Sequence, residues 1–285
     1  MIRKLLPVLL VLALSTIACG FHINVPINMV TPGPMQTDQI NIPLPADPIQ
    51  TMNLSLGFGA GTLDLHPGAN AVVSGTAKYN IADFKPIVTV NGSTARVEQG
   101  NWHLKGIPDL SNIKNTWDLS LGKQPLNLSI EAGAYHAEYQ FGGLALTNLT
   151  VKDGASDVKL DFDSPNLSEM SLLSYETGAS NVSLTGLGNA NFSSLLFHSG
   201  AGNFTLDFTG SLKQDGSVNI ETGVSNTTLV IPTGVPAQLT VEGGLSNVTF
   251  GSSWSKNGNT YSQSGSGPKL TIVVKIGAGN LTLTH

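Results

Sequence analysis

Cysteine is almost missing from this chain of 285 residues; the only one is Cys19. A single thiol excludes an intramolecular disulfide framework and any cysteine-built metal centre. Charged side chains are scarce at 12% and aromatic ones at 6%, and 14 Lys and Arg against 19 Asp and Glu leave no basic stripe of the kind nucleic acid requires. The histidines, His22, His66, His103, His136, His198 and His285, show no His-x-x-x-His spacing, so neither a metal nor a cofactor is expected. Beyond the first twenty residues no apolar run is long enough to cross a bilayer as a helix. Glycine, by contrast, is plentiful at 32 residues, and it recurs with a period.

Gly59, Gly133, Gly154, Gly178, Gly200, Gly223, Gly244 and Gly277 each open a corner, followed by Ala, Val or Leu and then Gly, Ser or Tyr. From Gly133 to Gly244 the steps are 21, 24, 22, 23 and 21 residues, a period that marks stacked repeats. Five residues before these glycines stand Leu54, Leu128, Leu149, Leu173, Leu195, Val218, Leu239 and Ile272. Apolar residues also recur three before, four after and six after. Alternation with period two on both sides of the corner predicts two short strands, each burying one face. One such unit cannot bury its own apolar face, but units stacked about 4.8 Å apart share a continuous core. The expected fold is all-β: a β-solenoid carrying an N-terminal antiparallel subdomain. The corner glycines are expected to supply positive φ, and the residue after them to point into a tapering interior. Three residues after the glycine, Asp157, Asn181, Asn203, Asn226, Asn247 and Asn280 are expected to bond their copies in neighbouring turns.

Between Gly59 and Gly133 the period breaks. Residues 77–80, 87–90 and 95–98 read as antiparallel strands, the last two joined through Asn91-Gly92-Ser93. Trp117-Asp118-Leu119-Ser120-Leu121 then recovers the alternation, and residues 252–268 read as a Gly- and Ser-rich excursion. At the other end, Arg3 and Lys4, an apolar run over residues 5–14 and Ser15-Thr16-Ile17-Ala18-Cys19 follow the order of an export signal. Its end resembles the bacterial lipobox, which implies cleavage before Cys19 and a lipid on that residue. The alternative is ordinary cleavage after Ala18 and a secreted chain. The expected divisions are a signal over 1–18, a lipid-anchored tether over 19–49, an N-terminal β-subdomain over 50–118 and a repeat solenoid over 119–285.

Residues 52–100, with Leu54-Ser55-Leu56-Gly57-Phe58-Gly59-Ala60-Gly61, Gly75-Thr76-Ala77-Lys78-Tyr79-Asn80 and Lys85-Pro86-Ile87-Val88, resemble the amino-terminal part of the bacterial toast-rack proteins. Pro125 to Ala134 and the turns that follow are similar to the rest of that family, which is related to the carboxy-terminal domain of LiaF-type envelope-stress proteins. The resemblance implies a β-rich rack on the outer face of a bacterial membrane, with no chemistry to carry over.

Two residues before the corner glycine runs the column Glu131, Lys152, Glu176, His198, Glu221, Glu242 and Lys275, expected to face solvent. In chain order Glu221 and Glu242 are like charges in adjacent turns, which marks a candidate docking place for a cationic ligand or a cell-surface polymer. Asp161 and Asp207, two turns apart, are the carboxylates nearest to a glycosidase arrangement. No partner group is arranged to separate their pKa values. The function expected is that of a non-enzymatic, membrane-anchored envelope protein, as adhesin, stress sensor or scaffold, that engages a polymer, a cationic ligand or another envelope protein. A polysaccharide-active hydrolase or lyase and a purely structural spacer are the alternatives. Residues 281–285 end the chain on a strand, so end-to-end self-association through that edge is expected as well.

Overall fold

Each corner glycine sits inside one long strand rather than between two. The computed structural model describes residues 32–47, 50–100 and 112–285. In chain order its strands are β1 (Gln36–Ile42), β2 (Met52–Pro67), β3 (Val73–Tyr79), β4 (Pro86–Asn91), β5 (Thr94–Gln99), β6 (Asn115–Leu121), β7 (Leu126–Gln140), β8 (Leu146–Asp161), β9 (Met170–Thr185), β10 (Phe192–Asp207), β11 (Gly216–Val230), β12 (Ala237–Phe250), β13 (Ser255–Asn257), β14 (Thr260–Gln263) and β15 (Leu270–Thr284). No helix among these residues is long and apolar enough to cross a membrane. Cys19, the export signal and the tether as far as residue 31 lie outside the described residues.

The strands form one 15-stranded sheet whose main path runs β1-β3-β6-β2-β7-β8-β9-β10-β11-β15-β12-β14-β13. From β2 to β12 the neighbours are parallel and in register. Leu149 pairs with Leu173, and Leu173 with Leu195, so the apolar columns lie on top of one another as the period predicts. All three are buried. Each long strand contributes a first arm before the glycine and a second arm after it, and the two arms wrap one core. Short returns leave the second arm at Phe141, Phe162, Phe208 and Ile231, which are buried and whose N–H groups donate to the carbonyls of Asp161, Thr185, Val230 and Thr284 in the next turn. Asn166 completes one return, accepting from the Leu146 N–H and donating to the carbonyls of Leu146 and Ser168, each at 2.8 Å.

The corner glycines serve close approach, not positive φ. None of the eight has a left-handed φ; that conformation falls two residues later, at Gly61, Gly202 and Gly279. A Cβ on Gly133, Gly178 or Gly223 would come within 2.4 Å of the carbonyl oxygen of Gly59, Gly154 or Gly200 in the neighbouring turn. Stacked corners at strand spacing leave no room for a methyl group. The residue after the glycine also departs from expectation. Ala134, Ala155, Ala179 and Ala201 are exposed, and Val224 is 63% exposed. Two consecutive residues face outward at the bend, so inward pointing resumes one position later, at Tyr135, Ser180 and Ser225, all buried.

At the amino-terminal end the ladder divides. The first arm of β2 pairs with β5, and its second arm with β6. β4 and β5 form the hairpin expected around Gly92, while β3 joins β1 and β6 in an antiparallel group. The corner of β2 is sealed by side chains: the Gln99 carbonyl oxygen accepts from the Gly59 N–H at 2.9 Å and from Asn115 at 2.8 Å.

Three expectations are corrected here. Residues 36–42, assigned to the tether, are β1, with Ile40 and Ile42 each 1% exposed. The division at 118/119 falls inside β6. And β15, expected at an open edge, lies between β11 and β12, paired to both along its length. The excursion near residue 260 is the β13–β14 hairpin, which pairs with the first arm of β12.

Candidate functional site

The outer faces of the two arms carry the polar columns. On the first arm, register places Glu131 beside Lys152, Lys152 beside Glu176, Glu176 beside His198 and His198 beside Glu221. Glu221 then meets Lys275, and Lys275 meets Glu242. The expectation that Glu221 and Glu242 adjoin is therefore wrong, because β15 inserts a lysine between them. In spatial order no two carboxylates adjoin along this column, His198 standing between Glu176 and Glu221. Lys152 reaches Glu176 at 3.3 Å and Lys275 reaches Glu242 at 3.7 Å, all four exposed. Such pairs pin register and add little stability. On the next outward column Asn280 donates to Asn226 at 2.8 Å, Asn226 to Asn203 at 3.1 Å and Asn203 to Asn181 at 3.0 Å.

The like-charge neighbours lie elsewhere. On the second arm Asp64 of β2 pairs in register with Asp118 of β6 on one side and Glu138 of β7 on the other. Three carboxylates thus stand on consecutive strands, roughly 4.8 Å apart. The basic side chains nearby are at the margins: Lys159 is 3.7 Å from Glu138, and His66 bonds Asp118 at 2.9 Å. Burial raises the Asp64 carboxyl above its ordinary pKa, and the charges of Glu138 and Asp118 add to the rise. The Glu138 N–H, donating to Asp64 at 3.3 Å, and His136 act in the opposite sense. Asp64 and Glu138 both fall five residues after a corner glycine, a signal the chain does contain. Seeing it requires placing β2 directly against β7, across 74 residues.

A second feature that sequence reasoning missed lies inside the bend. Asp153, just before Gly154, accepts from Tyr175 at 2.8 Å, from Tyr135 at 3.2 Å and from Thr177. Tyr139 donates to the Tyr135 hydroxyl at 3.2 Å. Burial, together with the Asp153 charge, pushes all three phenols above their usual range, so they remain donors. Asp153 acts as a hub that satisfies three hydroxyls at the bend.

Asp161 and Asp207 are each held by a local donor. Asp161 accepts from Thr185 at 2.5 Å, and Asp207 accepts from the Thr209 N–H at 2.8 Å. Among the described residues no group of three or more His, Cys, Asp and Glu converges to hold a metal ion.

Bent parallel strands, a stacked-glycine corner and ladders of like side chains define a β-solenoid of the rack type. The chain belongs to the toast-rack family: the N-terminal domain of toast_rack, DUF2154, matches residues 31–172 and 168–230. No curated protein matches the chain. Among solved structures it is similar to a candidate cell adhesion protein from Clostridium sporogenes, at 20% identity and a TM-score of 0.49, covering 88% of this chain and 99% of that one. It is also similar to a candidate adhesin from Bacteroides fragilis, at 13% identity and a TM-score of 0.43, covering 88% and 97%. A candidate lipid binding protein from Parabacteroides distasonis shows 11% identity and a TM-score of 0.37, covering 87% and 97%.

Proposed function

We propose that this is a non-enzymatic recognition protein of the bacterial cell envelope, held at the membrane through Cys19, whose second-arm face at the β6-β2-β7 end takes a cationic polymer or basic protein segment. The observation that carries this reading is the run Asp118, Asp64 and Glu138 on consecutive strands. In the first-arm column Glu131, Glu176, Glu221 and Glu242 each have a lysine or histidine as a register neighbour, whereas Asp64 has an acid on both sides. An extended partner with regularly spaced positive charges relieves that repulsion and gains from it. The rigid ladder holds the carboxylates in place before the partner arrives, which lowers the ordering cost of binding.

Titration of the full-length protein in detergent micelles with poly-L-lysine tests this. Asp64→Asn, Asp118→Asn and Glu138→Gln together are expected to weaken binding at least tenfold, while Glu221→Gln with Glu242→Gln leaves it within twofold. Equal losses in the two variants, or no loss in the first, overturn the site. Metabolic lipid labelling of wild type against Cys19→Ala tests the anchor separately.

A further inference from the structure

Two free margins of the sheet are guarded. β1 carries Asp38, and β13 is only three residues long and carries Lys256. β4 has no such protection. Among the described residues it pairs with β5 alone. Its sequence from Ile87 to Asn91 has no charge, and Ile87, Val88 and Val90 are 52%, 43% and 52% exposed. Proteins ordinarily blunt an uncharged apolar strand edge, because its open N–H and C=O groups template another strand.

The hairpin geometry shows which groups are open. The Gly100 N–H donates to the Lys85 carbonyl at 3.1 Å, which sets the phase of the β4–β5 ladder. By alternation Ile87, Thr89 and Asn91 bond to Glu98, Arg96 and Thr94, and the backbone groups of Val88 and Val90 point away from β5. The side chains of Val88 and Val90 stand on the same face as their buried β5 partners Val97 and Ala95. The core-side surface therefore continues past β5 onto Val88 and Val90, which stay 43% and 52% exposed.

We propose that β4 is a self-association edge, occupied by β4 of a second copy running antiparallel across a two-fold axis at Thr89. A two-fold axis normal to the sheet sets residues of the same face opposite each other, so it passes through a residue rather than between two. Centring on Val88 places Pro86, which lacks an N–H, opposite the partner's Val90. Centring on Thr89 lets Val88 and Val90 each exchange both backbone hydrogen bonds with the partner's Val90 and Val88. It also packs the four valines into one cluster that prolongs the core-side face. No like charges are opposed, since Lys85 falls opposite the partner's Ser93. A contact one short strand long is well below the standard interface of about 1,600 Å², so the dimer is weak and concentration-dependent.

The test uses the full chain with Cys19→Ala, so that a failed anchor or a failed acidic site has no bearing on it. In this background Thr89→Cys is expected to form a disulfide-linked dimer under mild oxidation, because opposed residues in a non-hydrogen-bonded pair lie about 4.5 Å apart, within disulfide reach. Ile87→Cys, whose copies are offset in this register, is expected to cross-link at least fivefold more slowly. Sedimentation equilibrium is expected to show a reversible dimer that Val88→Lys with Val90→Lys abolishes without changing the circular dichroism melt. A monomer at all concentrations, equal cross-linking of the two cysteine variants, or a dimer that survives the lysines overturns the proposal.

Discussion

The middle of the ladder and its amino-terminal end build the same two-faced core by different means. From β7 to β11 one strand serves both faces and must bend, and the bend is possible because glycine stacks on glycine. Beside β2 two separate strands, β5 and β6, do the work of one bent strand, and no glycine corner is needed there. In its place Gln99 supplies the acceptor for the Gly59 N–H. The contrast teaches that the glycine column belongs to the bend and not to the faces. The same end holds the three adjacent carboxylates and the uncharged β4 edge, so departure from the repeat and candidate recognition features coincide.

The sharpest way to break the comparison is to add a methyl group inside the stack. Gly178→Ala puts a Cβ 2.4 Å from the Gly154 carbonyl oxygen, whereas Gly244→Ala puts one 3.0 Å from the Gly277 oxygen in the outermost long strand, where the corner has a stacked neighbour on one side only. Urea unfolding is expected to show a loss of about 2–3 kcal/mol for the first and well under half of that for the second. Next comes the bend's polar filling. Asp153→Ala strands the hydroxyls of Tyr175, Tyr135 and Thr177 and is expected to cost about 2 kcal/mol, with Asp153→Asn recovering most of it by keeping an acceptor.

Charge order ranks third. Lys275→Glu makes three adjacent glutamates of Glu221, residue 275 and Glu242, and a thermal melt at low salt is expected to register about 1 kcal/mol of loss that shrinks as salt is added. The smallest effect is at the other end. The folded Asp64 carboxyl holds its proton more tightly than the unfolded one, whose value is 3.8, so stability falls as pH rises through the window above 3.8 and the penalty persists at neutral pH. Asp64→Asn is expected to raise stability by a few tenths of a kcal/mol at pH 7 and to be neutral near pH 3, where both forms are uncharged.

The ladder itself was legible because its cause is local. Alternating apolar residues either side of a recurring glycine state the strand, the buried face and the period together, and Leu149, Leu173 and Leu195 fall where that pattern puts them. The reason for the glycine was not legible, since a clash with a carbonyl some twenty residues away leaves no mark on the residue itself. Strand order was hidden for a similar reason: repeats announce that units stack, not in which sequence. One clue did exist. Read along the chain, the first-arm column ends in two glutamates and a lysine; moving the lysine between them restores alternation, and that is where β15 stands. β1 escaped notice because Ile40-Asn41-Ile42 offers a single alternation within a Pro- and Asn-rich stretch.

The position of β15 bears on the route by which the protein reaches its native state. Asn226 and Asn280, bonded neighbours in the finished ladder, are 54 residues apart, and β12 emerges before the strand that joins it to β11. The ladder therefore cannot assemble strand by strand in chain order, because β12 does not pair with β11. β12 joins the ladder only through β15, a strand made later, which raises contact order and slows the final step. Until then two parallel edges stand bare, a window in which mispairing with another molecule competes with completion.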